Sequence, residues 1–141
     1  FRQAAVKALD TLSRNPNGFF LMIEGSNIDK AAHSNNLEEM MEELLDFDRT
    51  AGAVLDWASK HPGTLVVITA DHNTGAFALT GGSREQGEIT GRFGSGSHDG
   101  VAVPVYAFGA GSGDFTGIYE NTDIFNKIMN ALKKGADKPV R

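Results

Sequence analysis

Apolar residues recur along this chain in two rhythms, one helical and one of short continuous runs. In residues 1–14, Ala5, Val6, Leu9 and Leu12 share one helical face, and Asn17-Gly18 supplies a turn. Phe19-Phe20-Leu21-Met22-Ile23 is unbroken, the pattern of a strand covered on both faces, and it ends at Glu24-Gly25. A carboxylate at the end of a buried strand needs a partner, because burying it bare is costly. A short helical segment carrying Asp29 and His33 follows. A longer helical region opens at Asn36, with Glu39 three residues on in the manner of a capping box. Leu37, Met40, Met41, Leu44, Leu45, Ala51, Val54, Leu55 and Ala58 keep helical spacing, as one helix or as two with a break near Asp46-Phe47-Asp48. This stripe reads as core packing.

Lys60-His61-Pro62-Gly63 stops the helix, and Thr64 to Ala70 reads as a second buried strand ending at Asp71-His72-Asn73-Thr74-Gly75. Residues 76–100 are glycine-rich and lack apolar periodicity, so an irregular loop with a short hairpin is expected. Val101 to Phe108 gives a third strand, with Pro104 early in the run, where a lost donor hurts least. Thr122 can cap a last helix that turns Phe125, Ile128, Met129 and Leu132 to the core and stops at Gly135. This order predicts an α/β fold with a largely parallel sheet flanked by helices. Ligands collect at the carboxyl ends of strands in such sheets, and Glu24 and Asp71-His72 stand at two such ends. No internal repeat or linker divides the chain, which reads as one domain.

Composition narrows the chemistry. The 141 residues are 40% hydrophobic, enough for a packed core, and the net charge of −5 favours neither nucleic acid nor an anionic membrane surface. Glu38, Glu39, Glu42 and Glu43 form a solvated helix face. With no cysteine, disulfides and zinc–thiolate sites are excluded. No run approaches a membrane span. The chain begins at Phe1, inside a helical pattern and without an initiator methionine, so the true N-terminus and any targeting segment are expected upstream.

Three of the four histidines have a carboxylate nearby. Asp29 and His33 stand at i and i+4, on one helical face. Asp71 and His72 are adjacent, so both reach one ion only where their strand has ended, and Gly75 fits that release. His98 follows Gly94-Ser95-Gly96-Ser97, where the backbone can bend around an ion. Each has a plain structural alternative: an ion pair for Asp29–His33, a helix cap for Asp71, a core histidine for His72, a loop histidine for His98, a buried salt bridge for Glu24. His61 reads as a surface histidine. Taken together, Asp29, His33 and His98 leave one position open on a catalytic zinc, and Asp71 with His72 supply half a second site. Glu24 would supply one ligand of a harder, all-oxygen site suited to magnesium.

In order and spacing, Phe19-Phe20-Leu21-Met22-Ile23-Glu24-Gly25, Asn27-Ile28-Asp29-Lys30, His33, Thr69-Ala70-Asp71-His72 and Ser97-His98 resemble the C-terminal part of bacterial alkaline phosphatases. Val103-Pro104-Val105-Tyr106-Ala107 and Asn121-Thr122-Asp123-Ile124-Phe125 extend the resemblance to nearly the whole chain. It implies two Zn2+ and one Mg2+: Asp29, His33 and His98 on the first zinc, Asp71 and His72 on the second, Glu24 on magnesium. Lys30 is implied to contact phosphate through water. The fold implied is part of an alkaline-phosphatase-like α/β sandwich, with residues 1–141 as the C-terminal portion of a single domain.

Some family features have no counterpart here. No serine has the context of the family's nucleophile, and the upstream zinc–magnesium aspartate, a further magnesium ligand and the phosphate-gripping arginine are missing. Asp99 stands after His98 where a small hydroxyl residue is common, and either tunes the first zinc or faces solvent. The resemblance implies phosphomonoester hydrolysis through a phosphoserine, once the N-terminal portion is supplied, in a homodimeric periplasmic or secreted enzyme. Two alternatives stand beside it. One is a phosphoglycerate-mutase-like relative, which also carries Thr-Ala-Asp-His. The other is a non-catalytic zinc-binding fragment when the chain is isolated.

Overall fold

The computed structural model describes residues 1–136. In chain order the elements are α1 (Arg2–Leu12), α2 (Ser26–His33), α3 (Leu37–Ser59), β1 (Leu65–Ile68), β2 (Asn73–Thr74), β3 (Ala78–Ser83), β4 (Glu88–Arg92), β5 (His98–Asp99), β6 (Tyr106–Gly109), a 3₁₀ turn (Ser112–Phe115) and α4 (Asp123–Ala136). Contacts divide the chain into two compact units, one built from Phe1–Met22, Arg49–Thr69 and the chain from Pro104 onward, the other from Ile23–Asp48 and Ala70–Val103.

The first unit is built around Leu9, Trp57, Ala58 and Val66, with Phe19, Leu21, Val54, Leu55 and Ile68 packed against them. The helical face read from the sequence of α1 is the buried one: Ala5 and Leu9 are 5% and 4% exposed. The Trp57 indole N–H donates to Asp10 Oδ1 at 2.9 Å, and Trp57's other side is covered by the stacked His61 ring, 3.7 Å between centroids. β1 pairs antiparallel with β6, Leu65 opposite Gly109 and Ile68 opposite Tyr106.

The second unit centres on Ala31, Ala32 and Met40, surrounded by Ile28, Leu37, Phe77 and Phe93. The start of α3 is reciprocally capped, as its sequence suggests: the Glu39 N–H donates to Asn36 Oδ1 at 3.2 Å, and Asn36 Nδ2 donates to Glu39 Oε2 at 3.1 Å. β2 pairs with β5, and β3 with β4 in a hairpin whose register shifts between Leu79 and Gly81.

Several expectations change. Helices and strands alternate as an α/β chain should, but every ladder among the described residues is antiparallel, in three two-stranded pairs, and the largely parallel sheet is not among them. Phe19 to Ile23 is extended without a ladder, and its burial alternates: Phe20 and Met22 are 63% and 68% exposed. An unbroken apolar run reports what a segment can bury, whereas its actual burial depends on neighbours that the run does not specify. The expected strand from Val101 forms only at Tyr106–Gly109, two residues after Pro104, which has no N–H to give to a ladder. The hairpin within residues 76–100 is more regular than an irregular loop, with strands of six and five residues. α3 is one unbroken helix of 23 residues. Met40 is buried, but Leu44 and Leu45 of the same stripe are 42% and 47% exposed. α4 passes through Gly135 to Ala136.

Candidate metal centre

The centre lies within the second unit. α2 buries Ala31 and Ala32 almost completely, 1% and 3% exposed, which turns the Asp29–His33 face away from that core. Its i,i+4 spacing puts Asp29 Oδ2 3.5 Å from His33 Nε2. After Asp71 and His72 the chain enters β2 and turns at Gly75, whose φ is +80°. A β-carbon at Gly75 would meet Phe93 Cδ1 at 2.8 Å and the Ala32 carbonyl at 3.1 Å, so this tight passage beneath α2 requires glycine. The Gly75 N–H donates to the Ser97 carbonyl at 3.0 Å, which ties the turn to the residue before His98.

β2 and β5 are short, and their register sorts the side chains. Thr74 is opposite His98 and Asn73 opposite Asp99, so period-two alternation gives the two pairs opposite faces. On one face, His98 Nε2 comes within 3.0 Å of His33 Nε2 and 3.5 Å of Asp29 Oδ1. On the other, the Asp99 carboxylate accepts from both Asn73 Nδ2 contacts, at 3.1 and 2.9 Å, and from the N–H groups of Ala76 and Val101, both at 3.0 Å. Asp99 therefore neither tunes an ion from the His98 face nor points idly to solvent; it staples the loops that carry the ligands. The Val101 N–H leads in holding its carboxyl below the ordinary value, with Asn73 and the Ala76 N–H adding to the effect against desolvation.

The hydrogen bonds also fix which ring nitrogens are free. His33 Nδ1 lies 2.8 Å from the Gly96 carbonyl, which can only accept, so the neutral ring carries its proton there and presents a lone pair at Nε2. Thr74 Oγ1 donates its single proton to Asp29 Oδ1 at 2.6 Å and so accepts from His72 Nδ1 at 3.2 Å. That leaves His72 Nε2 as a lone pair, 3.1 Å from Asp71 Oδ2. Acceptors facing acceptors need a proton or a cation between them. The His72 ring also stacks on His98, 3.6 Å between centroids. Asp29 stays anionic readily: the Thr74 hydroxyl, above all, lowers its pKa against desolvation, and His33, His98 and His72 act in the same direction.

A tetrahedral ion with bonds of about 2.0–2.1 Å to nitrogen and oxygen spaces its ligand atoms about 3.3–3.4 Å apart. His33 Nε2 and His98 Nε2 are 3.0 Å apart, and each lies 3.5 Å from a different oxygen of the Asp29 carboxylate, separations within a few tenths of an ångström of those edges. Among the described residues, these three form the cluster able to hold a metal ion. Asp71 and His72 are a ligand pair rather than a closed group, with the Asp71 side chain 85% exposed. Glu24 is exposed instead of buried and lies outside the cluster, and the exposed Lys30 gives its ammonium to Asn27 Oδ1 at 3.1 Å. Thr74 and Asn73 escaped the sequence reading, although Thr74 stands two residues after His72 and so returns to the same face of an extended chain.

The family profile described as alkaline phosphatase matches residues 1–92. The chain belongs to the alkaline phosphatase family. It is 29% identical to alkaline phosphatase 4 of Bacillus subtilis over 95% of its own length and 44% of that protein's. To alkaline phosphatase H of Pseudomonas aeruginosa it is 34% identical, over 92% of the chain and 31% of the relative. The solved alkaline phosphatase of the Antarctic bacterium TAB5 superposes with a TM-score of 0.84 at 40% identity, covering 94% of this chain and 41% of that one. This alkaline phosphatase family chain thus spans less than half the length of these relatives. No helix among its described residues is long and apolar enough to cross a membrane.

Proposed function

We propose that this chain carries the metal-binding part of a phosphomonoesterase, with Asp29, His33 and His98 on one zinc and Asp71 with His72 on a second. The observation that supports this most directly is the convergence of the Asp29 carboxylate and the Nε2 atoms of His33 and His98, from α2 and β5, at separations close to a tetrahedral ion's edges. Glu24, at the end of the extended segment before α2, is assigned to one Mg2+, and Lys30 to phosphate through a water molecule. Two closely spaced cations would neutralise the phosphoryl group and the oxygens entering and leaving it.

The chain's own residues prepare that chemistry. The Gly96 carbonyl and the Thr74 hydroxyl hold His33 and His72 in the tautomers that expose Nε2. Asp29, kept ionised by Thr74, supplies the negative charge that offsets a divalent ion. The nucleophilic serine that would carry the phosphoserine is assigned to the part of the family's length that these residues do not span. The same part is assigned the further metal ligands, the phosphate-binding arginine, and the strands that would complete a parallel sheet beside Phe19–Ile23, whose exposed Phe20 and Met22 suit such a neighbour. Assembly as a homodimer and a periplasmic or secreted location belong to the same reading.

The test is hydrolysis of p-nitrophenyl phosphate by the full-length protein, before and after chelation. Turnover that is lost on chelation, regained with zinc and magnesium, and absent in Asp29→Ala supports the proposal. Turnover indifferent to chelation overturns it.

A further inference from the structure

Thr74 is 9% exposed and sits two residues after His72, directly opposite His98 in the β2–β5 pair. Its hydroxyl has one proton and spends it on Asp29 Oδ1 at 2.6 Å. The same oxygen receives His72 Nδ1 at 3.2 Å. One side chain therefore touches a ligand of the Asp29–His33–His98 cluster and a ligand of the Asp71–His72 pair. Both contacts matter for orientation: the first fixes which carboxylate oxygen of Asp29 is engaged from behind, and the second fixes the tautomer and rotation of the His72 ring.

We propose that Thr74 is a positioning residue shared by two metal positions, its single hydroxyl orienting Asp29 for one cation and His72 for the other. This rests on the metal reading given above. Neither bond can be supplied by the other groups near it. His33 and His98 contact Asp29 through the ring nitrogens that would themselves bind the ion, and Asp71 meets His72 at Nε2, the opposite side of the ring from Thr74. Without the hydroxyl, Asp29 Oδ1 loses its short hydrogen bond, and His72 is free to move its proton to Nε2, which blocks it as a ligand. Thr74→Val keeps the branched shape and removes only the oxygen. Thr74→Ser keeps the oxygen and removes only a methyl group.

The experiment titrates Co2+ and Zn2+ into the metal-stripped full-length protein, following the visible absorption of bound Co2+ and competition with a chromophoric chelator. In the wild type two binding steps are expected, with the intense bands of a tetrahedral cobalt site. In Thr74→Val both steps weaken, each by about 10- to 100-fold, the usual effect of removing a partner behind a ligand, and the cobalt bands shift. Thr74→Ser restores the wild-type spectrum and affinities. Wild-type affinities and spectrum in Thr74→Val overturn the proposal, as does failure of Thr74→Ser to restore them. Weakening of one step alone overturns the sharing. A wild type that takes up no metal overturns the metal reading itself, a result distinct from the others.

Discussion

His33 and His98, 65 residues apart in sequence, bring their Nε2 atoms to within 3.0 Å of each other. His33 has its proton on Nδ1, against Gly96, so the space between the two rings is held by a proton on His98 or by a cation. A cation that replaces that proton also gains Asp29. Metal and fold are then linked: an ion at about 100 times its Kd adds about 2.7 kcal/mol to stability. Chelation is expected to lower the melting temperature of the full-length protein. In His98→Ala the gap between the chelated and zinc-loaded melting curves should narrow, because the cluster has lost one of its three ligands while the Asp71–His72 pair remains. Differential scanning calorimetry with and without chelator measures both.

Gly75 tests how the turn beneath α2 serves the site. Its positive φ and the nearness of Phe93 and the Ala32 carbonyl leave no room for a methyl group. Gly75→Ala is expected to cost about 1–3 kcal/mol, the scale of a residue forced into a sparsely populated backbone conformation. Because the Gly75 N–H holds the Ser97 carbonyl, zinc affinity should fall alongside the urea midpoint. An unchanged midpoint contradicts the crowding argument.

Parts of this site are local and were legible in the chain. Asp29 and His33 need only one helical turn to meet, and Asp71-His72 only a strand end. The union of His33 with His98 is long-range: ligand chemistry and the family resemblance both grouped the two residues, but no local spacing could bring them together. Asp99 shows the limit most clearly. Its neighbour His98 suggested a role at the ion, yet adjacency in a strand means opposite faces, and its carboxylate binds Asn73, Ala76 and Val101 instead. The sheet was less legible than the helices for a related reason. Helical periodicity records one buried face within a single segment, as Ala5 and Leu9 do in α1. The apolar run Phe19–Ile23 carries no information on which strand, if any, lies beside it.

The Asp99 staple predicts an acid limb in stability. Its folded pKa lies below the ordinary 3.8, chiefly through the Val101 N–H. The unfolded chain therefore binds the proton more readily, and stability falls as pH drops. The contribution is complete above the ordinary value and disappears as pH passes below it through the folded pKa. Asp99→Asn, which removes the anionic acceptor, should melt lower than the wild type at pH 7, with the gap closing below about pH 4. A gap that stays constant from pH 7 to 3 rejects the assignment.

In the first unit, the indole N–H of the buried Trp57 donates to Asp10 Oδ1 at 2.9 Å. Asp10→Ala strands that donor and is expected to cost about 1–3 kcal/mol, the usual penalty for a buried polar group left without a partner. Asp10→Asn retains an acceptor oxygen and should cost less. Urea unfolding followed through the fluorescence of Trp57, the one tryptophan of the chain, gives the comparison directly. Equal losses in the two variants would show that the carboxylate's charge, rather than its hydrogen bond, is what matters.

Lys30 separates phosphate binding from ligand geometry. It follows Asp29 directly in α2, is exposed, and gives its ammonium to Asn27 Oδ1 rather than to Asp29 or either histidine. Its removal should leave the Asp29–His33–His98 spacing intact. A solvated lysine acting on phosphate through water contributes only modestly, since exposed charges are screened: about 1 kcal/mol or less, or roughly fivefold in affinity. Lys30→Ala is accordingly expected to raise the KM for p-nitrophenyl phosphate and the inhibition constant for inorganic phosphate by similar small factors. Zinc affinity should be unchanged. Full steady-state kinetics at two ionic strengths make the check sharper, because the difference between Lys30→Ala and the wild type must shrink as salt rises. If zinc affinity falls while phosphate inhibition holds steady, Lys30 belongs to the metal site's support and its phosphate role is wrong.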